Sequence, residues 1–137
     1  MNNFSHSGLS EYRNVGAIGS VESADPHKLV RLLYEGLSAA LSTARGAIER
    51  GDQQSKSIAI SKAAGIIDAL RSSVDTQRGG AIAENLQRLY DYMGRKLTGA
   101  NLHNDMDALH EVAKVNVILS AAWNTIPEAV RQQTAAA

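Results

Sequence analysis

Four histidines, His6, His27, His103 and His110, and the polar run HNDMDALHE from His103 to Glu111 are the residues best suited to acid–base or metal chemistry. Ligands that share a helix face need a spacing of three or four residues, which Asp107 with His110 and Asp107 with Glu111 satisfy. A di-metal bundle asks for more, with Glu-x-x-His on two helices and further carboxylates pointing inward. The run instead opens a predicted helix, where Asp and Glu are expected from the helix dipole alone. No metal site is assigned. There is no cysteine, which removes disulfides, thiol catalysis and thiolate metal sites. No nucleophile–base pair and no phosphate-cradling glycine loop appears. Catalysis and a bound cofactor are not expected.

His110 supports one alternative, a phosphotransfer module that presents a single exposed histidine on a four-helix scaffold. It stands about 100° from Leu109 on a helical wheel and so can face solvent. In LHEVAKV, however, the lysine follows four positions on and no glycine flanks the histidine. The phosphotransfer pattern has its lysine at three, followed by Gly.

The elements that would position these residues are helices. Pro26 and Pro127 are the only prolines, and nearly all regular patterning lies between them. A first helix starts at Asp25 as N-cap with Pro26 at N1 and stops at Gly51. Leu33, Leu37, Ala40, Leu41, Ala44 and Ile48 make its apolar stripe, extended at the start by Leu29 and Leu32. A second helix is predicted from about Ser55 to Val74 and a third from about Ala81 to Thr98, with Ile82, Leu86, Leu89, Tyr90, Met93 and Leu97 inward. A fourth runs from about Met106 to Thr125, capped by Asp105 or Asn104. Nothing reads as a strand. The expected fold is all-α, an antiparallel four-helix bundle over residues 25–126 with a flexible N-terminal arm, 1–24, and a short frayed C-terminal tail, 127–137. In the arm Leu9, Tyr12, Val15, Ile18 and Val21 recur every third position, which suits an extended or 3₁₀ segment laid along a groove better than an α-helix.

The chain has 137 residues, with 14 Lys+Arg against 14 Asp+Glu. Zero net charge argues against nucleic acid and against anionic membrane surfaces, both of which select for basic proteins. MNNFSHSGLS lacks the basic flank and apolar run of a signal peptide. No apolar stretch approaches the ~20 residues that span a bilayer. A cytoplasmic protein without membrane insertion is expected.

Three of the helices carry more apolar width than a core stripe needs. On the second, Ala59, Ile66 and Leu70 extend to one side of Ile60 and Ile67. On the fourth, Val115 and Ala122 widen the stripe and Ile118 points nearly opposite Leu109, while Asn116 falls on the core seam. On the third, Tyr90 and Met93 share the inward face with Leu86, whereas Tyr92 lies about 120° away. Such surplus fits a groove for a partner helix, a homodimer face, or no function at all, since single exposed apolar residues are normal.

These segments together resemble the FliS family of flagellin-specific secretion chaperones. The resemblance runs from about Tyr12 to Ile126 and is carried by YRNVGAI, SADPHKLVRLLYEGLSAAL, KAAGIIDAL, GGAIAENLQRLYDYMGRKLTGANLHND and the AAW..I of Ala121 to Ile126, in that order and spacing. Asp25 departs from the serine expected before the proline, and both residues cap helices. The resemblance implies a cytoplasmic four-helix bundle that captures the disordered C-terminal segment of flagellin, blocks premature polymerisation and keeps the subunit competent for flagellar type III export. It also implies recognition of the chaperone–client complex by a membrane protein of the flagellar export gate. Some members engage an anti-sigma factor or another flagellar assembly factor. Client contacts are expected at Tyr12, Val15 and Ile18 on the arm, and at Ile66, Leu70, Tyr92, Val115, Ile118 and Ala122 on the helices. The tyrosine preceding Val15 is the family's functionally implicated arm residue, which places that role on Tyr12.

Overall fold

The computed structural model describes residues 25–125, so the expected arm with Tyr12, Val15 and Ile18, and the expected tail, lie outside the described residues. Four α-helices follow one another: α1 (Pro26–Arg50), α2 (Gln53–Ser72), α3 (Thr76–His103) and α4 (Met106–Thr125). Three of the four starts are fixed by a side-chain cap. Asp25 Oδ1 accepts from Lys28 N at 2.8 Å, Asp52 Oδ1 from Ser55 N at 3.1 Å and Asp105 Oδ1 from Ala108 N at 3.1 Å. Each satisfies an N–H that the first turn leaves without an intrahelical partner. Gly51 ends α1 in the left-handed region, φ 73°, with its N–H bonded to Ile48 O at 3.1 Å.

α1 packs against α2 and α4, α2 against α3, and α3 against α4. A ring closed in chain order by short turns is an up-down-up-down antiparallel bundle. The α1–α2 interface is the most extensive. Ala40, Ala44, Ala47, Ala59 and Ala63, all buried, let the two backbones come close. The centre of the core is Leu33 and Leu37 from α1, Ile66 and Leu70 from α2, Met93 and Leu97 from α3, and Leu109 and Val112 from α4, each below 2% exposed. Each such side chain stabilises the fold by about 1.5–3 kcal/mol through burial.

Polar groups inside the bundle are tied across helices. The hydroxyls of Tyr34 and Tyr90 meet at 2.8 Å, Asn116 Nδ2 donates to Tyr34 O at 3.2 Å, and Trp123 Nε1 donates to His27 O at 3.0 Å. Lys56, 4% exposed, carries its ammonium to the far end of α3, donating to Asn101 O and Asn104 Oδ1, each at 2.7 Å. A cation on the last carbonyls of a helix satisfies orphan acceptors and complements the dipole.

Two expectations change. The third helix does not end near Thr98: Ala100 is fully buried and Lys56 secures the terminus, which outweighs the ~1 kcal/mol helix cost of Gly99. Its continuous part does begin near Ala81, because Gly80 (φ 58°, ψ −134°) separates it from a turn at Thr76–Gly79. Ile82 is 70% exposed and not core, and Ala83 is buried in its place. The cause is antiparallel register. Gln87 Nε2 reaches Arg71 O at 3.5 Å near the end of α2, so Ile82 lies more than a turn past that end with no α2 beside it.

Candidate functional site

On α3 the positions Ile82, Asn85, Leu89, Tyr92 and Lys96 repeat at three- and four-residue steps and form one row beside the core face. On α4 the positions Glu111, Val115, Ile118 and Ala122 form the matching row. The two rows meet across the α3–α4 seam, where Lys96 Nζ lies 3.0 Å from a Glu111 carboxylate oxygen, both side chains partly exposed. The Tyr92 hydroxyl stands beside the same carboxylate, and the Lys96 ammonium lies 5.5 Å from the Tyr92 ring centroid.

The electrostatics of this trio follow from its contacts. The hydrogen bond to Glu111 raises the Tyr92 pKa, because the carboxylate favours a hydroxyl that keeps its proton. The same carboxylate raises that of Lys96. Lys96, followed by Tyr92, lowers that of Glu111. At neutral pH the trio is an ion pair with a neutral tyrosine donor, polar and fixed. It offers no displaced base or nucleophile.

Away from the trio the seam is apolar and open. Val115 and Leu89 are half-buried, Ala122 is exposed, and Ile118 is 62% exposed. From Glu111 to Ala122 the α4 row extends roughly 16 Å at 1.5 Å per residue. The result is a shallow groove with an aliphatic floor and a charged pair across one end.

Of the nine residues expected at a client surface, Tyr92, Val115, Ile118 and Ala122 come together on this one seam. Ile66 and Leu70 do not join them. Both are fully buried, at the centre of the core where α2 packs against α1 and α3. As the bundle stands they line no open groove. Tyr12, Val15 and Ile18 lie outside the described residues.

The sequence reading passed over Val117, Ile58 and Leu102, which are 64%, 63% and 72% exposed. The first was legible in the run VNVIL, which is apolar around more of the helix than a core stripe can use. Ile58 stands about 200° from Ile60 on the wheel, off the stripe. Leu102 was hidden by the expectation that the third helix ends before it. Ile58 edges a second groove of about 300 Å³ between α1 and α2, lined also by Ala39, Thr43, Ser55 and Lys62. His110 is exposed and borders a smaller hollow of about 150 Å³ between α4 and α1, with Ser38, Ser42 and Arg45. Among the described residues no group of three or more His, Asp or Glu side chains is placed to hold a metal ion, and no helix is long and apolar enough to cross a membrane.

The chain is similar to known proteins over most of its length. The family described as flagellar protein FliS matches residues 8–130. The flagellar secretion chaperone FliS of Salmonella typhimurium is 42% identical over 133 residues, covering 96% of this chain and 98% of that protein. The flagellar secretion chaperone FliSB of Pseudomonas aeruginosa is 42% identical over 118 residues, covering 86% and 94%. The Bacillus subtilis flagellar secretion chaperone FliS is 32% identical over 113 residues, covering 82% and 84%.

Proposed function

The chain belongs to the FliS family, whose relatives are named flagellar secretion chaperones, and from that premise we propose that it captures the C-terminal segment of flagellin in the cytoplasm. The captured subunit is held back from polymerisation and handed to the flagellar type III export apparatus, where a gate membrane protein recognises the complex. An anti-sigma factor or another flagellar assembly factor is a further partner class for such a surface. The work is binding and release, without a catalytic step or a cofactor.

The observation that carries the reading is the open apolar seam between α3 and α4. A disordered client that orders on binding incurs a cost of several kcal/mol, so it needs extended apolar area more than one deep pocket. Ile118 and Val115 supply such area on a bundle whose core is already complete. Tyr12, Val15 and Ile18 extend the client surface from the arm in this proposal, and the buried Ile66 and Leu70 support the scaffold beneath.

Isothermal titration with a peptide of the flagellin C-terminal segment tests it. Stoichiometric binding with a negative heat-capacity change is expected. Tyr12→Ala is expected to weaken that binding with an unchanged melting curve, and His110→Gln to leave it alone. Absence of binding heat, together with failure of flagellin to co-purify, would sink the proposal.

A further inference from the structure

Across α4 from the α3–α4 groove, the seam with α1 holds polar side chains that the fold leaves uncommitted. On α1, Ser38, Ser42 and Arg45 stand at steps of four and three and form one exposed row. The row edges the hollow of about 150 Å³ between α1 and α4, over a floor of Leu41, Leu109 and Ala113, with His110 on the α4 wall. No carboxylate lines it. Arg31, Arg71 and Lys96 each have an acidic partner. Among the described residues Arg45 has no ion pair, and the hydroxyls of Ser38 and Ser42 make no hydrogen bond. Glu35, one turn before Ser38, is turned to Arg31 at 3.9 Å, and Glu111 pairs with Lys96 on the other flank of α4. Glu49 and Asp107 lie a turn beyond Arg45 and His110, and Lys114 lies a turn the other way. The surroundings are thus close to charge balance, and selection falls to the lining itself.

One cation beside neutral hydroxyl donors matches a monoanion better than a dianion. The guanidinium fork fits a carboxylate through two parallel hydrogen bonds. At about 150 Å³ the hollow has room for a chain end but not for a helix, which is about 10 Å across. We propose that it binds the terminal α-carboxylate of the client chain, with Arg45 forked onto the two oxygens and the serine hydroxyls donating beside it. The inference rests on the client reading and fixes where the captured segment ends. A chain end reaches the hollow from the α3–α4 groove by crossing the outer face of α4, where Ile118 and Val117, 62% and 64% exposed, stand on either side of the crest. Every C-terminal segment carries this carboxylate whatever its side chains, so the contact distinguishes a chain end from an internal stretch of similar sequence.

Three peptides of the flagellin C-terminal segment provide the test by fluorescence anisotropy against the full chain: the free acid, its C-terminal amide, and a free acid lengthened by two glycines. The native free acid is expected to bind about tenfold more tightly than either of the others. Arg45→Gln is expected to bring the free acid down to the level of the amide, without moving the amide or the melting temperature, since Arg45 is exposed. Equal binding of acid and amide overturns the inference. So does an acid–amide gap that survives Arg45→Gln. A lengthened peptide as tight as the native one also overturns it, because diffuse attraction would then replace a seat for the terminus. If all three peptides bind alike, only this inference falls. If none binds, the client reading falls with it.

Discussion

At the scale of single residues, the bundle's interior depends on a few polar contacts that a hydropathy pattern does not announce. Tyr34 and Tyr90 are 4% and 2% exposed, and each hydroxyl has the other as its partner at 2.8 Å. Removing one hydroxyl strands the other, so Tyr90→Phe is expected to cost about 1–3 kcal/mol in urea unfolding. Adding Tyr34→Phe should recover much of that loss, a non-additivity that a double-mutant cycle measures directly. The pair also gives the fold an alkaline limit. Burial pushes both hydroxyls above the ordinary tyrosine range, with the hydrogen bond from Tyr90 partly offsetting the shift at Tyr34 and the neighbouring Tyr34 adding to it at Tyr90. The unfolded chain would ionise them near pH ~10. A folded pKa raised above the unfolded one means stability that is complete below pH ~10 and declines above it. Urea midpoints at pH 8 and pH 11 should therefore fall further for the native chain than for the double phenylalanine variant, and equal falls would refute the assignment. Tyr90 was legible as core from its phase with Leu86 and Met93. The tyrosine opposite it was not, because nothing local in SADPHKLVRLLYEGL says which residue of a distant helix Tyr34 will meet. Lys56 was invisible for a stronger reason: a lysine is expected outside, and only tertiary structure brings the α3 terminus to it.

At the scale of elements, caps and breaks decide where each helix runs, and here the sequence was most readable. Asp25, Pro26 and Gly51 bound α1 as their chemistry requires, and the start of α4 follows from Asp105. What failed was the treatment of Gly99 as a stop. Gly99 lies inside α3, where packing and the Lys56 cap outweigh propensity, whereas Gly80 breaks the same helix near its start. The two kinds of glycine predict opposite responses to substitution. Gly80 adopts φ 58° and ψ −134°, a region essentially closed to residues with a Cβ, so Gly80→Ala should cost about 1–3 kcal/mol although no atom lies within 4 Å of the added methyl. Gly65, inside α2 with equally open space, should respond with a gain of about 0.5–1 kcal/mol as Gly65→Ala. Chemical denaturation of the two variants decides the matter. Gains in both, or losses in both, would contradict the backbone account.

At the scale of the molecule, a chaperone must keep a complete core and an apolar exterior on the same four helices, and the structure separates the two by helix face. Leu70 and Ile118 were both read from the sequence as surplus apolar width, yet one is fully enclosed and the other 62% exposed. The wheel set Ile118 nearly opposite Leu109 and Leu70 only to one side of Ile67, but how far around each helix burial reaches depends on how its neighbours pack. α2 shares the most extensive interface of the bundle with α1 and packs on α3 as well, while the α4 row faces the open side of its seam with α3. The division predicts separable defects. Leu70→Ala should lower stability by about 2–5 kcal/mol and, below its unfolding transition, leave client affinity nearly intact. Ile118→Asp should leave stability within about 0.5 kcal/mol and lose affinity. One groove roughly 16 Å long is too small for a whole disordered segment, which typically buries ~1,000–3,000 Å² on ordering. The hollow edged by Ile58 between α1 and α2 is the further apolar surface a long client would reach. Ile58→Asp should therefore weaken binding of the full flagellin segment while leaving a three-turn peptide bound at the α3–α4 groove as tightly as before, and combining it with Ile118→Asp should weaken the full segment by about the product of the two single effects. Calorimetry on both ligands separates a client that wraps the bundle from one that lies in a single groove. If Ile58→Asp leaves the full segment untouched, the wrapped arrangement is wrong and the α3–α4 seam has to provide all of the affinity.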